Sequence, residues 1–137
     1  MVRLTTLAAA FLFALSACSA APAATGGQIT VSLSDHTVQL LQTSVTRGPV
    51  TITVKNIGTV VHSLVVLRTD LDHDMIPPDA RDQAKADERG KVGGTTEPLK
   101  AGQSVQIKLD LSAGKYVLIC NELAHYQIGM HAPLTVN

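Results

Sequence analysis

Residues 116–130 read YVLICNELAHYQIGM and place a thiol, an imidazole and a thioether in one short stretch. Residues 116–120 are a compact apolar run, typical of a strand that is buried on both faces. Polar residues follow, and Gly129 favours a tight turn just before Met130. The stretch therefore predicts a core strand ending at Cys120, followed by a loop that carries His125 and Met130.

Apolar and polar residues alternate in other parts of the chain. Residues 29–33, 50–54 and 105–111 have the period-two pattern of half-buried antiparallel strands. Residues 38–45, 64–67 and 134–136 form further apolar runs, and turn signals such as Arg47-Gly48-Pro49 separate the runs. We therefore predict an all-β fold, a Greek-key β-sandwich of seven to eight strands.

Residues 69–98 interrupt this pattern, because Asp, Arg, Lys, Gly and Pro dominate them. Pro77 and Pro78 followed by residues 79–89 predict one polar helix that ends at Gly90 and is solvated almost all round. We interpret the segment as a long polar, partly helical excursion between two core strands.

The N-terminus has the pattern of a secretory signal peptide in residues 1–17, with an apolar run that is too short to span a membrane in the mature protein. Residues 15–18, LSAC, resemble the bacterial lipoprotein processing box, which predicts lipidation of Cys18 and a membrane-anchored, extracytoplasmic protein. The alternative is ordinary cleavage between Ala17 and Ala24, which gives a soluble secreted or periplasmic protein. Residues 18–27 predict a flexible tether, and residues 28–137 predict a single domain.

Charge and cysteine content narrow the possible functions. The 137 residues have a formal net charge of zero and no basic cluster. The sequence therefore gives no sign of a surface that binds nucleic acid, and the lipid on Cys18 is the only predicted membrane contact. Once Cys18 is lipidated or removed, Cys120 has no partner for an internal disulfide. Cys120 is then either a buried small hydrophobe or a metal ligand, and the His and Met that follow it favour the ligand.

Copper is the metal that suits these donors. Cys and Met favour Cu(I), imidazole suits both oxidation states, and two histidines with one cysteine and a weak axial methionine describe an electron-transfer site. A second histidine is needed, and His62 is the best placed because it directly precedes a core strand. His36 in a turn, His73 in a hydrated loop and Met75 as a rival axial donor are weaker candidates.

At these residues the chain resembles the cupredoxins, the single-domain type 1 blue copper proteins. The resemblance rests on Asn56, Gly58 and His62, in the order Asn-x-Gly-x-x-x-His, and on the C-terminal Cys, His and Met loop. That loop is longer than in plastocyanins and similar to the loop of rusticyanin and sulfocyanin-type proteins. The resemblance implies one copper ion with the metal ligands His62, Cys120, His125 and Met130.

The resemblance also implies roles for neighbouring residues. The backbone amide of Ser63 is expected to hydrogen-bond the cysteine sulfur. Asn121 is expected either to tie the loop to the strand that carries His62 or to satisfy local backbone groups. Electrons are expected to leave through the solvent-facing edge of His125, inside an apolar electron-transfer patch formed by Leu123, Ala124 and Ile128.

The chain lacks residues that catalytic copper sites need, and this argues against catalysis. Cys120 has no companion cysteine for a binuclear centre, and Ile119 and Asn121 stand where copper oxidases and nitrite reductases have flanking histidines. Four filled ligand positions also leave no open coordination site for a substrate. We therefore expect a monomeric, non-enzymatic carrier of single electrons between a donor such as a cytochrome and an acceptor such as a terminal oxidase or reductase. Copper buffering or delivery outside the cytoplasm, and a metal-free adhesion or scaffolding sandwich, remain the alternatives.

Overall fold

The computed structural model describes residues 26–137, so the predicted signal peptide, Cys18 and most of the tether lie outside the described residues. Within that range the structure consists of strands, turns and loops without a helix, and therefore without a helix able to cross a membrane. The strands are β1 Gln28–Ser34, β2 Thr37–Leu40, β3 Ser44–Val45, β4 Gly48–Asn56, β5 Val65–Arg68, β6 Ser104–Leu111, β7 Gly114–Ile119 and β8 His131–Val136.

These strands form two four-stranded sheets, in the orders β2-β1-β4-β6 and β3-β8-β7-β5. The arrangement confirms the predicted all-β sandwich. Strand β1 pairs with β4 in parallel, and β3 pairs with β8 in parallel, whereas β4 with β6 and β7 with its two neighbours are antiparallel. The prediction of antiparallel pairing throughout the alternating strands is therefore wrong for β1 and β4.

The predicted strand at residues 38–45 is divided between the two sheets. Residues 37–40 form β2 at the edge of the first sheet, and residues 44–45 form β3 at the edge of the second. Leu41 lies at the crossing point with 76% of its surface exposed. Apolar character alone therefore did not reveal that the chain changes sheets here.

The alternating pattern places one face of each strand in the core between the sheets. In β4 the buried residues Val50, Ile52 and Val54 alternate with more exposed neighbours. Strand β7 differs because its residues Tyr116 to Ile119 are all buried, in agreement with the prediction for this run. Its outer face belongs to a second cluster, formed by Val65, Leu67, Ile76, Ala86, Val117, Ile119 and Tyr126.

That second cluster corrects the prediction that residues 79–89 of the excursion are solvated almost all round. Ile76 and Ala86 belong to residues 69–98, yet they are 7% and 1% exposed and pack on the outer face of the β5–β7 sheet. Burying a side chain of the size of Ile76 contributes about 1.5–3 kcal/mol relative to leaving it exposed. The excursion is therefore a cover for one sheet.

The predicted helix at residues 79–89 is also wrong, since this segment forms turns and one isolated bridge, between Pro78 and Ala86. Carboxylates of Asp79, Asp82 and Asp87 accept hydrogen bonds from backbone amides two or three residues further along. Such short acceptors offer the backbone an alternative to helical hydrogen bonds. The Asp-rich composition thus favours successive turns over a continuous helix.

One end of the sandwich collects the residues predicted to be functional. Strands β1 and β4 run in parallel and end together at Ser34 and Asn56. In the other sheet, β7 ends at Ile119 opposite the start of β8 at His131. The loop at residues 57–61, which leads to His62, and the C-terminal loop at residues 121–130 therefore extend from the same end.

Candidate metal centre

The backbone of His62 is fixed by a short bridge to Leu99. The His62 amide donates to the Leu99 carbonyl at 3.1 Å, and the Leu99 amide donates to the His62 carbonyl at 2.7 Å. The imidazole is fully buried. His62 is therefore held by the scaffold before any metal is considered.

The side chain of Asn56 shapes the loop that leads to His62. Its amide group donates to the carbonyls of Val60 at 2.7 Å and Leu99 at 2.8 Å, and its oxygen accepts from the amide of Gly58 at 2.9 Å. Asn56 is fully buried, so these bonds compensate for the loss of its contacts with water. The residue ends β4 and folds the 57–61 loop back toward Leu99.

The C-terminal loop is closed by hydrogen bonds between the residues predicted as ligands. The Cys120 amide donates to the Met130 carbonyl at 3.0 Å, and the Met130 amide donates to the His125 carbonyl at 3.1 Å. Gly129 has a φ of 104°, which a residue with a side chain rarely adopts. Ala124 has a φ of 63° immediately before His125. The loop conformation is thus set by its backbone as well as by its side chains.

Three donor atoms from these two loops converge. The Cys120 Sγ lies 3.6 Å from His62 Nδ1 and 3.3 Å from His125 Nδ1, and the two nitrogens are 3.2 Å apart. An ion that bonds nitrogen at about 2.0–2.1 Å and sulfur at about 2.3 Å in tetrahedral geometry holds two nitrogens about 3.3 Å apart and a nitrogen and sulfur about 3.6 Å apart. The observed spacing fits a metal ion, and the His-Cys-His donor set fits a blue copper site.

Burial determines the electrostatics of this group. Burial raises the pKa of the Cys120 thiol, and hydrogen bonds from the backbone amides of Glu122 and Ser63 oppose that rise. Burial also lowers the pKa of His125, and the neighbouring His62 lowers it further. Neutral imidazoles keep the lone pairs that a metal requires, whereas a thiolate in this buried position needs a nearby cation to be stable.

The two methionines near the candidate site differ in burial. Met130 is fully buried and belongs to the same core cluster as Cys120. Met75, the weaker candidate, is 64% exposed on the excursion. The backbone of Met130 is also hydrogen-bonded to Cys120 and His125, so of the two methionines Met130 is the buried one that lies beside these residues.

The side-chain hydrogen bonds of Asn121 go to the excursion and not to the strand that follows His62. Its side chain accepts from the Ala86 amide at 2.8 Å and donates to the Ala86 carbonyl at 3.0 Å and to Glu88 Oε1 at 2.9 Å. The prediction that it ties the loop to the His62 strand is therefore wrong, and so is the alternative of local backbone contacts. Asn121 instead fastens the excursion to the end of β7.

The three predicted patch residues lie in the C-terminal loop with the partly exposed His125. Leu123 and Ile128 are 65% and 51% exposed, and Ala124 is also exposed. In the 57–61 loop, which leads to His62, Val60 and Val61 are 48% and 42% exposed. Sequence reasoning missed these two valines because they directly precede a core strand and look like part of it.

Two further contacts were not predicted. Asp35, for which the sequence predicts no functional role, lies with its Oδ1 3.3 Å from His62 Nε2. His73, predicted to lie in a hydrated loop, has its Nδ1 2.7 Å from the Nδ1 of His131. Both contacts join residues far apart in the sequence, and no local pattern signals either of them.

Comparison with known proteins supports the fold. No protein-family model matches the chain, and no curated protein matches it in sequence. The structure of reduced auracyanin from the photosynthetic bacterium Roseiflexus castenholzii is similar, with 26% identity and a TM-score of 0.60 over 83% of this chain and 98% of that chain. Auracyanin B gives 22% identity and a TM-score of 0.58 over 81% and 88% of the two chains. Rusticyanin from Thiobacillus ferrooxidans gives 15% identity and a TM-score of 0.61 over 80% and 76%.

These similarities define the class of structure. Auracyanin and rusticyanin are cupredoxins, and the eight strands of the described residues form a cupredoxin-like β-sandwich. The His-Cys-His group lies at the end of the sandwich where the two loops meet. The resemblance inferred from the sequence is therefore confirmed in its fold and in its metal-binding group.

Proposed function

We propose that this protein binds one copper ion through His62, Cys120 and His125, with Met130 as the weak axial donor. The observation that carries the proposal is the convergence of two imidazole nitrogens and one sulfur within 3.6 Å of one another. Copper supplies a centre that alternates between Cu(II) and Cu(I), and this set of four donors suits both states.

We further propose that the protein carries single electrons and is not an enzyme. Cys120, His62 and Met130 are fully buried, and only His125 of this set is partly exposed. A small substrate has no direct approach to a metal held by these side chains, whereas an electron needs only the exposed edge of His125. Hydrogen bonds hold both loops in place, and this favours a site whose geometry changes little between the two oxidation states.

The cellular setting is part of the proposal and rests on the sequence. The N-terminal pattern and the LSAC box favour export and lipid attachment at Cys18. We propose a monomer held outside the cytoplasm that exchanges electrons with redox proteins, such as a cytochrome donor and an oxidase or reductase acceptor. The apolar surface around His125 suits the small interfaces that redox encounters use.

Spectroscopy of the purified protein with added Cu(II) tests the proposed function. An intense visible sulfur-to-copper charge-transfer band, with one copper per chain and a mononuclear paramagnetic resonance signal, is the expected result. Reversible reduction and reoxidation with the copper retained would support electron carriage. Release of copper on reduction would instead support copper delivery, and a colourless protein would refute the site.

The axial position can be tested with a matched pair of substitutions. We expect Met130→Leu to raise the midpoint potential by roughly 60–120 mV, equivalent to one to two tenfold changes in relative affinity for the two oxidation states. The reason is that Leu leaves the more highly charged Cu(II) with one donor fewer in a more apolar site, and this effect outweighs the preference of the soft thioether for Cu(I). Protein-film or solution voltammetry measures the shift. Met75→Leu is the control and should leave the potential unchanged; the reverse outcome would assign the axial role to Met75.

The apolar surface at His125 can be tested by adding charge. We expect Leu123→Asp to slow electron self-exchange by about tenfold or more, because each encounter then brings two like charges together at the contact. The rate is measured from line broadening in nuclear magnetic resonance spectra of mixed oxidised and reduced protein. Leu41→Asp is the control, since Leu41 is also exposed but lies at the far end of β2. Equal rates in the two variants would contradict this docking surface.

A further inference from the structure

Asp35 contacts the side of the His62 ring that faces away from the cysteine. The Asp35 Oδ1 is 3.3 Å from His62 Nε2, while His62 Nδ1 faces the Cys120 sulfur and His125. Asp35 lies between β1 and β2, outside both loops that supply the donor atoms. A carboxylate is thus placed behind one proposed ligand by a separate part of the fold.

The carboxylate is held in place by the 57–61 loop. Its Oδ1 accepts from the amides of Thr59 at 2.6 Å and Val60 at 3.3 Å, and its Oδ2 accepts from the Thr59 hydroxyl at 2.7 Å. These bonds, the Thr59 hydroxyl foremost, lower the pKa of Asp35 well below its usual range. An aspartate is already ionised at neutral pH, and these hydrogen bonds hold its carboxylate in one orientation.

An ionised carboxylate can only accept hydrogen bonds. The proton of a neutral His62 ring therefore belongs on Nε2, where Asp35 can accept it. This tautomer leaves the lone pair on Nδ1, the atom that faces Cys120 and His125. The contact thus selects the ring form that a metal at the donor group requires.

Gly58 lies directly against the contact between Asp35 and His62. A Cβ atom at Gly58 would lie 2.1 Å from Asp35 Oδ1 and 2.8 Å from His62 Nε2. Both distances are shorter than van der Waals contact, and the imidazole is fully buried and cannot move aside. The absence of a side chain at Gly58 is therefore what allows the carboxylate and the ring to meet.

We propose that Asp35 is a positioning residue for the copper site, which fixes the orientation and tautomer of His62 and favours Cu(II) over Cu(I). This inference rests on the proposed copper-binding function. An anion hydrogen-bonded to a ligating imidazole makes the ring a stronger donor. Negative charge near the site also stabilises the more positive oxidation state more strongly. Asp35 therefore lowers the reduction potential.

The test uses two substitutions at Asp35 in the full chain. Asp35→Asn keeps a hydrogen-bond acceptor but removes the charge, and Asp35→Ala removes both. We expect Cu(II) affinity, measured by competition with a chelator, to fall about 10–100-fold, the usual effect of losing such a partner. A tenfold loss for Cu(II) relative to Cu(I) raises the potential by about 59 mV, and Asp35→Ala should show the larger shift.

Two matched controls separate this role from a general effect of charge or packing. Asp110→Asn removes the same charge from an exposed residue near the opposite end of β6 and should leave the potential unchanged. Gly58→Ala should reproduce the shift by displacing the carboxylate. Gly93→Ala should not, because a Cβ at Gly93 meets nothing within 4 Å.

A metal-free measurement distinguishes failure of this inference from failure of the copper site. Nitrogen-15 spectra of the apoprotein are expected to show His62 protonated at Nε2, and this signature should weaken in Asp35→Ala. If wild-type protein gives the copper spectrum but both Asp35 variants keep its potential and affinity, the inference is wrong and the copper site stands. If wild-type protein binds no copper, the proposed function fails, and an unaltered His62 signature in Asp35→Ala would overturn the positioning role as well.

Discussion

Cys120→Ser is expected to abolish the visible charge-transfer band and the stabilisation that copper gives the folded protein. A ligand that binds only the native state stabilises it by about 4.1 kcal/mol at 1,000 times its dissociation constant. For a domain of this size, that corresponds to an increase of roughly 15 °C in the melting temperature. The wild-type protein should show this increase on copper addition, and Cys120→Ser should show little of it in differential scanning calorimetry.

The metal-free proteins provide the control for this experiment. Cys120 is fully buried, so the serine hydroxyl takes its place in the core with an expected cost of about 1–3 kcal/mol if it stays unpaired. The comparison must therefore be the gain caused by copper within each protein. An equal gain in both proteins would show that Cys120 is not a ligand, and no gain in either would favour a metal-free sandwich.

Donor chemistry made the metal centre accessible to sequence reasoning. Cys120, His125 and Met130 lie in one short stretch, so their proximity followed from the chain itself. His62 required a further step, since its approach to Cys120 depends on how the two sheets pack. The local signs of that approach were the position of His62 directly before a core strand and the Asn-x-Gly-x-x-x-His order of Asn56, Gly58 and His62.

Contacts between distant segments were harder to predict. Nothing around Asp35 indicates that its carboxylate reaches His62, because the contact exists only after β1 and β4 have paired in parallel and brought Ser34 and Asn56 to the same end. Asn121 is a similar case. Its partners Ala86 and Glu88 lie in the excursion, whose path over the outer face of the sheet has no periodic signature.

The excursion shows how composition misled the secondary-structure prediction. Residues 79–89 contain several helix-compatible residues, but their aspartates accept hydrogen bonds from nearby amides and stabilise turns. A few apolar residues then decide the tertiary position, since Ile76 and Ala86 pack against the β5–β7 sheet. The turns formed by the aspartates and the few apolar contacts together explain why this segment covers the sheet and does not form the predicted helix.

Asn56→Ala is expected to destabilise the fold and loosen the metal centre together. The substitution removes three hydrogen bonds from a fully buried side chain, to Val60, Leu99 and Gly58. At about 1 kcal/mol for each bond, the free energy of unfolding should fall by about 3 kcal/mol, and the melting temperature should fall by roughly 12 °C. Chemical denaturation of the metal-free protein measures the loss.

The loosening of the metal centre follows from the position of the three Asn56 hydrogen bonds. They fold the 57–61 loop against Leu99, and Leu99 in turn bridges to the backbone of His62. Without them, amide hydrogen exchange at Gly58 and Val60 should accelerate, and Cu(II) affinity should fall by about tenfold, at the lower end of the effect of losing an outer support of a metal ligand. Asn137→Ala is the control, because Asn137 is exposed and directly follows β8. It should change the free energy of unfolding and the free energy of Cu(II) binding by no more than about 0.5 kcal/mol each. A destabilised Asn56→Ala variant with unchanged copper affinity would show that Leu99 alone is enough to hold His62.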